Sequence, residues 1–345
     1  MTEAVFLECR APSTPPDLAL AHRTLPQPKR AEAQVEVAAT SVNPIDVKRS
    51  AGYGSRLLSL KGAGRFPLVL GNDVVGRVVA LGPDAGTVRI GDYVMGVLPT
   101  GQQGAHASHV NIDEKFLTPI VDGYSHDELA ALPYSFTTLW LALRSAGLTG
   151  ETPRGRAVLI NGASGGLGQM AMQILVGWGA RVTAICSTGN IETCRQLGAA
   201  AIVDRLKLSI ADIPERYDFS LNFGSWEDEE AMIGRLSKTA IGLATTCHPI
   251  LANCDESGLI GGVARSILAY RRLRRQARAI ARDVRYSWVV FKPDREALSA
   301  LRELLSARRI SLPVGFSGPL ERGAQAFAHV AAGQSGRAIL RPKAP

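Results

Sequence analysis

The sequence predicts an α/β chain of two domains, a β-rich one followed by a doubly wound parallel sheet. Two textures predict this. From about Val35 to Lys115, short apolar runs are punctuated by glycine and proline, in VEVAATSVN, FPLVLGNDVVGRVVALG, IGDYVMGVL and ASHVNID, the signature of strands joined by turns. After Ser125 the texture turns helical in DELAALPYSFTTLWLALRSAG, and strands then alternate with helices through RAVLING, GQMAMQILVGWG, RVTAICS, IETCRQLG and AAIVD, the order that builds a parallel sheet. A length of 345 residues also exceeds one ordinary domain.

The first strand of the second region, AVLI, is apolar throughout, as a strand covered by helices on both faces must be. Further strands are predicted at YDFSLNF, AIGLATTC and YSWVVF, and a helix over Asp294 to Arg308. The tail ISLPVGFSGPLERGAQAFAHVAAGQSGRAILRP regains strand and turn character, which predicts a return to the β-rich domain. The expected domains are therefore 1–128, completed by 309–345, and 129–308.

Hydrophobic residues make up 46% and charged residues 20% of the chain, a globular balance, and no run of 18 apolar residues suggests a membrane span. The start, MTEAVFLECRAPSTPP, has neither a basic n-region before an apolar stretch nor the look of a transit peptide, so a cytoplasmic location is expected. Five scattered cysteines, Cys9, Cys186, Cys194, Cys247 and Cys254, include no C-x-x-C pair and fit reduced thiols. The formal charge is +8, but Arg265 to Arg285 holds eight arginines against Asp283, which confines the basicity to one segment and argues against a nucleic-acid partner.

Directly after AVLI come Asn161, Gly162, Ala163, Ser164, Gly165, Gly166, Leu167 and Gly168, and then the helical run QMAMQIL. Glycines at such a turn let backbone approach a pyrophosphate, and the helix N-terminus offers free N–H groups and a favourable dipole. A lone glycine motif is weak, but strand, loop, helix and second strand occur in the required order. Sites that prefer NAD place an acid about 20 residues further on. Here that position reads AICSTGN, with no acid between Arg181 and Ile191, whereas Ser187, Thr188, Arg195 and Arg205 are candidates for a 2′-phosphate. NADPH is the expected coenzyme. The plain alternative is that these polar groups cap a loop and a helix.

The segments SVNPIDVKRSAGYG, FPLVLGNDVVGRVVALG, ALPYSFTTLW, VLINGASGGLGQMAMQ, RVTAICS and GRAILRP together resemble the quinone oxidoreductase branch of the medium-chain dehydrogenase/reductase superfamily, most closely its reticulon-4-interacting protein 1-like members. The resemblance covers nearly the whole chain. It implies a GroES-like catalytic domain before a Rossmann domain, with the nicotinamide in a cleft between them, and a homodimer. It also implies that Thr138 lies near the nicotinamide ribose and that Asn222, Phe223 and Gly224 approach the cofactor. Many relatives carry tyrosine after the aspartate of the third Rossmann strand, where this chain has Arg205 after Asp204, so charge replaces stacking beside the adenosine.

Zinc alcohol dehydrogenases of the superfamily hold a catalytic metal through two Cys and one His. The resemblance puts Asn43 at the first Cys position and Asn72 at the His position, and the stretch VLPTGQQGAHASH lacks the cysteines of the structural-zinc lobe. No metal is expected. His106 and His109, spaced as a metal pair might be, read instead as surface or cleft residues. Chemistry without a metal suits an acceptor that takes hydride readily, a quinone or an enone, with a hydrogen-bond donor for the charge that develops on oxygen. Asn43 and Tyr53 are the candidate catalytic residues, because the family's matching segment lines the cleft opposite the nicotinamide. The plain readings are a turn-initiating Asn before Pro44 and a Tyr packed in a glycine-flanked turn. Asp73 matches a family acid whose role is structural.

Between Arg265 and Arg285, the apolar residues Ile267, Tyr270, Leu273, Ala277, Ile280 and Val284 recur at steps of three or four, predicting one apolar helical face amid arginines. That helix either covers the Rossmann sheet or a second subunit, its ordinary use, or makes peripheral contact with an anionic membrane. The expected function is NADPH-dependent reduction of a small-molecule quinone or enone. Enoyl-thioester reduction uses the same fold and cofactor, and a scaffold that retains NADPH is the alternative of another class.

Overall fold

In the computed structural model, which describes residues 1–101 and 103–342, the chain begins with strands β1 (Thr2–Cys9), β2 (Leu18–Leu25) and β3 (Glu32–Val42). Helices α1 (Pro44–Ser50) and α2 (Ser55–Leu58) precede β4 (Leu68–Val69), β5 (Asp73–Leu81), β6 (Tyr93–Val97), β7 (His109–Asp113) and β8 (Leu117–Pro119). Then come α3 (His126–Ala130), α4 (Pro133–Ala146), β9 (Ala157–Asn161), α5 (Gly166–Gly177), β10 (Arg181–Cys186), α6 (Ile191–Gln196) and β11 (Ala201–Asp204). The chain continues through β12 (Phe219–Asn222), α7 (Glu229–Gly234), β13 (Gly242–Thr245), α8 (Ile250–Ile280) and β14 (Arg285–Trp288). It ends with α9 (Arg295–Ser306), β15 (Val314–Pro319), α10 (Gly323–Ala331) and β16 (Arg337–Arg341).

Two compact units result, the first made of Met1–Thr137, Cys254–Leu259 and Lys292–Pro345, the second of Thr138–Asn253 and Ile260–Phe291. The last three positions of the expected 309–345 segment, and Gln102 in the stretch matching the zinc lobe, lie outside the described residues. In this division α3 and the first turn of α4 fall with the first unit, and so does α9. Its last turn is held there by the Tyr124 hydroxyl, which donates to Leu305 O at 3.1 Å, and by Arg308, which donates to Gly123 O at 2.9 Å.

The first unit contains a three-stranded sheet, β2-β1-β4, and a seven-stranded sheet, β15-β16-β3-β5-β6-β8, with β7 also on β3. Alternation along β3 buries Val35 and Val37 with Val74, Val78, Val94 and Ile112 in one core, as one-sided sheets require. Two elements escape the sequence pattern. The β1–β2 hairpin lies ahead of the stretch that reads as strands, and the tail contains α10, a helix of nine residues, besides its strands. The tail does complete the sheet, Ala338 pairing with Val42 and Leu340 with Thr40.

The second unit is a six-stranded parallel sheet ordered β11-β10-β9-β12-β13-β14. This is the doubly wound order, whose direction reverses between its first and fourth strands, here β9 and β12. The arginine-rich helix differs from its expected span. It runs from Ile250 to Ile280, broken at Gly258 (φ 73°), so Val284 lies beyond its end and Arg285 opens β14. Leu273 and Ala277 of its apolar stripe are buried against Ile213, Met232 and Leu243, whereas Ile267 is exposed.

In the first unit, β16 is clamped to α3 by Arg341, whose Nε and Nη2 donate to Asp127 Oδ1 and Oδ2 at 2.8 and 2.6 Å. Burial alone would raise the Asp127 carboxyl, but the Arg341 guanidinium outweighs it and holds the group below its usual range. A depressed carboxylate contributes stability that is present above the unfolded value and lost as pH falls through the folded one. The stability difference between the wild type and Asp127→Asn, read from urea unfolding, is expected to be constant above about pH 5 and to shrink below about pH 4. A difference that stays constant in acid contradicts the clamp.

Candidate functional site

The glycine-rich turn stands where the sheet order reverses. Gly162 leaves β9 with φ 76°, and a Cβ built there would lie 2.9 Å from the Phe223 carbonyl carbon and 3.0 Å from Gly224 N, at the end of β12. Only glycine fits that approach. A Cβ on Gly168 would lie 2.3 Å from Gly162 O, so that glycine lets α5 sit directly on the turn. A Cβ on Gly165 would meet nothing nearer than Gly162 O at 3.4 Å, which leaves its outward side open. Gly165 is the N-cap of α5 and no side chain caps that end. The N–H groups of Gly166, Leu167 and Gly168 therefore have no helical acceptor, and the helix dipole adds positive potential beside Ser164.

The ends of β9 and β12 are fixed by a buried polar network. Asn161 Nδ2 donates to Asn222 Oδ1 at 3.0 Å and to Asp228 Oδ2 at 2.8 Å. Asn222 Nδ2 donates to Glu229 Oε2 at 2.7 Å and to Ser225 O at 2.8 Å. Burial pushes the Glu229 carboxyl up, opposed by the Asn222 amide. The amide of Asn222 is thus consumed within the protein, and Phe223 and Gly224 remain as backbone at the loop's edge. Thr138 is buried on α4 at the first position of the second unit.

The end of β10 holds the second expected cluster. Ser187 and Thr188 follow the strand, and the parallel register of β10 with β11 brings Asp204 opposite Cys186, with Arg205 N donating to Cys186 O at 2.9 Å. Spacing along the sequence hides Asp204, which arrives through strand pairing. The Thr188 hydroxyl donates to Asp204 Oδ2 at 2.6 Å and holds that carboxyl below its usual range. Arg205 is exposed beside it. Arg195 is exposed and ion-paired with Glu192 of its own helix.

In the first unit the candidate catalytic residues separate. Asn43 is fully buried. Its Nδ2 donates to Ser41 Oγ at 3.0 Å and Asp73 Oδ2 at 2.9 Å, and its Oδ1 accepts from Arg337 Nη2. Both ends of the Asn43 amide are thus engaged by protein partners. Asp73 also accepts from Ser41 Oγ at 2.5 Å and Tyr134 N at 2.6 Å; burial pushes its carboxyl up, against these donors and the Arg337 charge. Arg337, from β16, carries no motif signal beyond its place in GRAILRP.

Asn72 Nδ2 donates to Leu98 O at 2.9 Å. His106 is a buried core residue, not a surface or cleft one; its Nε2 lies 3.0 Å from Ser41 O and its ring meets Phe327 edge-on. His109 is half-buried on β7, with Nδ1 3.0 Å from Ser108 Oγ. Among the described residues, no group of three His, Cys, Asp or Glu side chains is placed to hold a metal ion. Tyr53 is half-buried between Gly52 and Gly54, both at positive φ, with Lys48 Nζ 5.6 Å from its ring centre. Its turn is fixed by Asp255, a residue without a sequence signal, which accepts from Gly54 N at 2.5 Å and Arg56 N at 3.2 Å.

These geometries agree with what the chain is similar to. Residues 29–122 match the model of the alcohol dehydrogenase GroES-like domain. The zebrafish (Danio rerio) protein named NAD(P)H oxidoreductase RTN4IP1, mitochondrial, is 30% identical over 293 residues, spanning 81% of this chain and 75% of its own. The human (Homo sapiens) protein of that name is 30% identical over 323 residues, 90% and 81% of the two chains. The quinone oxidoreductase structure from Coxiella burnetii superposes with a TM-score of 0.83 at 22% identity, covering 99% of this chain and 100% of the other, which establishes the common fold. With these relatives, a GroES-like domain match and a doubly wound unit define an oxidoreductase of the medium-chain dehydrogenase/reductase superfamily. Within it, the chain belongs to the reticulon-4-interacting protein 1 family of NAD(P)H oxidoreductases.

Gly168→Ala tests the turn. The added methyl must displace the Gly162 carbonyl, so the variant is expected to lose about 1–3 kcal/mol of stability in urea unfolding and to bind nicotinamide coenzyme at least about tenfold more weakly. Unchanged stability and affinity would show that α5 does not close on β9 in this way.

Proposed function

We propose that the protein is an NADPH-dependent reductase of a quinone or another conjugated carbonyl compound, working without a metal ion. The observation that carries this reading is the uncapped start of α5 beside an open Gly165, at the reversal between β9 and β12. Gly165 to Gly168 would hold the pyrophosphate there through backbone N–H groups. Bound in that position, the coenzyme supplies a hydride.

The phosphorylated coenzyme is favoured by Ser187 and the exposed Arg205 at the end of β10, where a guanidinium can meet a 2′-phosphate. Asp204 would favour NADH if its oxygens were open to ribose hydroxyls, but the Thr188 hydroxyl and Leu206 N donate to them. Arg195, paired with Glu192, contributes less. Metal-free chemistry is supported by the donor set: Asn43 and Asn72 stand at ligand positions of the zinc relatives, and their amides are taken by protein partners. An acceptor that receives hydride without a Lewis acid must already be electron-poor, as quinones and enones are. Tyr53 is the proposed donor to the oxygen that gains charge, its phenol hydroxyl supplying the hydrogen bond.

Arg205→Ala is expected to raise KM for NADPH about tenfold while leaving KM for NADH within about twofold; equal effects on both would remove Arg205 from the phosphate site. Steady-state NADPH oxidation with a quinone and enone panel beside enoyl-CoA esters is expected to favour the former, to be insensitive to o-phenanthroline, and to fall at least about tenfold in kcat in Tyr53→Phe. Turnover of thioesters alone would contradict the proposed acceptor class.

A further inference from the structure

Past the break at Gly258, α8 has an inward seam and an outward face of different character. Ser266, Leu273 and Ala277 are buried in the second unit, and Tyr270 packs with them. Opposite stand Ile260, Val263, Ile267 and Leu268, with Ile260 89% and Leu268 66% exposed. One turn further on, the same side presents Arg271, Arg274, Arg275 and Arg278, all exposed. At about 100° per residue these eight positions fall within an arc of about 140°. The aliphatic end is about 12 Å long and the cationic end about 10 Å. Arg272, off this arc, is the arginine that pairs with Glu230.

We propose that this face docks on the surface of an anionic lipid bilayer, the aliphatic turns entering the headgroup boundary and the guanidiniums meeting lipid phosphates. Four arginines on one amphipathic face match such a surface in charge, and exposed Ile and Leu side chains gain from the apolar boundary next to it. A nucleic acid would engage the arginines but give the aliphatic end nothing to bury. A second copy fits no better. A two-fold axis through the aliphatic end could cover Ile260 to Leu268 with the same residues of another copy, but it leaves the four arginines of each copy without an anionic partner. Among the described residues no helix is long and apolar enough to cross a membrane, so the contact is peripheral.

The test is flotation of the full-length protein with vesicles of phosphatidylcholine alone or mixed with phosphatidylglycerol. The protein is expected to float only with the anionic vesicles and to be released by high salt. Arg271→Ala/Arg275→Ala should weaken binding about 25-fold and Ile260→Ser/Leu268→Ser about tenfold, with thermal unfolding and NADPH oxidation unchanged in both. Absence of flotation at low salt would overturn the proposal. So would an aliphatic variant that floats like the wild type while duplex DNA competes, or variants that alter only the oligomeric state in sedimentation. The readout is binding to lipid and involves no acceptor, so its failure leaves the proposed reductase activity standing.

Discussion

The arrangement depends on one close approach: backbone on backbone where β9 turns into α5. Gly162 must take positive φ with no Cβ, because the Phe223–Gly224 backbone occupies that space, and Gly168 must lack one because Gly162 O does. With both conditions met, the helix start points its free N–H groups at the reversal of the sheet, and the Asn161–Asn222 contact locks the two strand ends together. The proposed coenzyme site therefore follows from the absence of two methyl groups more than from any side chain. This is why it can be read from glycines spaced along a sequence.

In the first unit the positions that matter have been turned inward. The buried Asn43, Ser41 and Asp73 and the half-buried Arg337 form one set in which every member is partly satisfied by another. Removing any one deprives a polar or charged neighbour of one of its partners in a largely buried region, a costly outcome. The set ties α1, β5 and β16 together, so the chain's end helps fix the segment that begins at Pro44. The turn that carries Tyr53 is held by Asp255.

What could be read in the sequence divides along the same line. The parallel sheet was legible because its inner strands are covered on both faces and so read as mostly apolar runs, and the glycine turn because its constraint is local. Partners brought by pairing were not. Arg337 reaches Asn43 across 294 positions, and Asp204 comes beside Thr188 only through the register of β10 with β11. His106 has the spacing of an exposed pair with His109, yet it is buried. The helix α10 was missed because its nine residues sit among glycines that read as turns, and Ile267 belongs to the helical period without belonging to the buried seam. Periodicity reports which face of an element is apolar; it does not report what covers that face.

The central claim is that a phosphorylated nicotinamide coenzyme binds at the start of α5. Titration of the purified protein with NADPH, followed by the change in nicotinamide fluorescence, tests it most directly. The account predicts saturation at one coenzyme per chain, with NADH binding at least about tenfold more weakly. Saturation by neither coenzyme would contradict it.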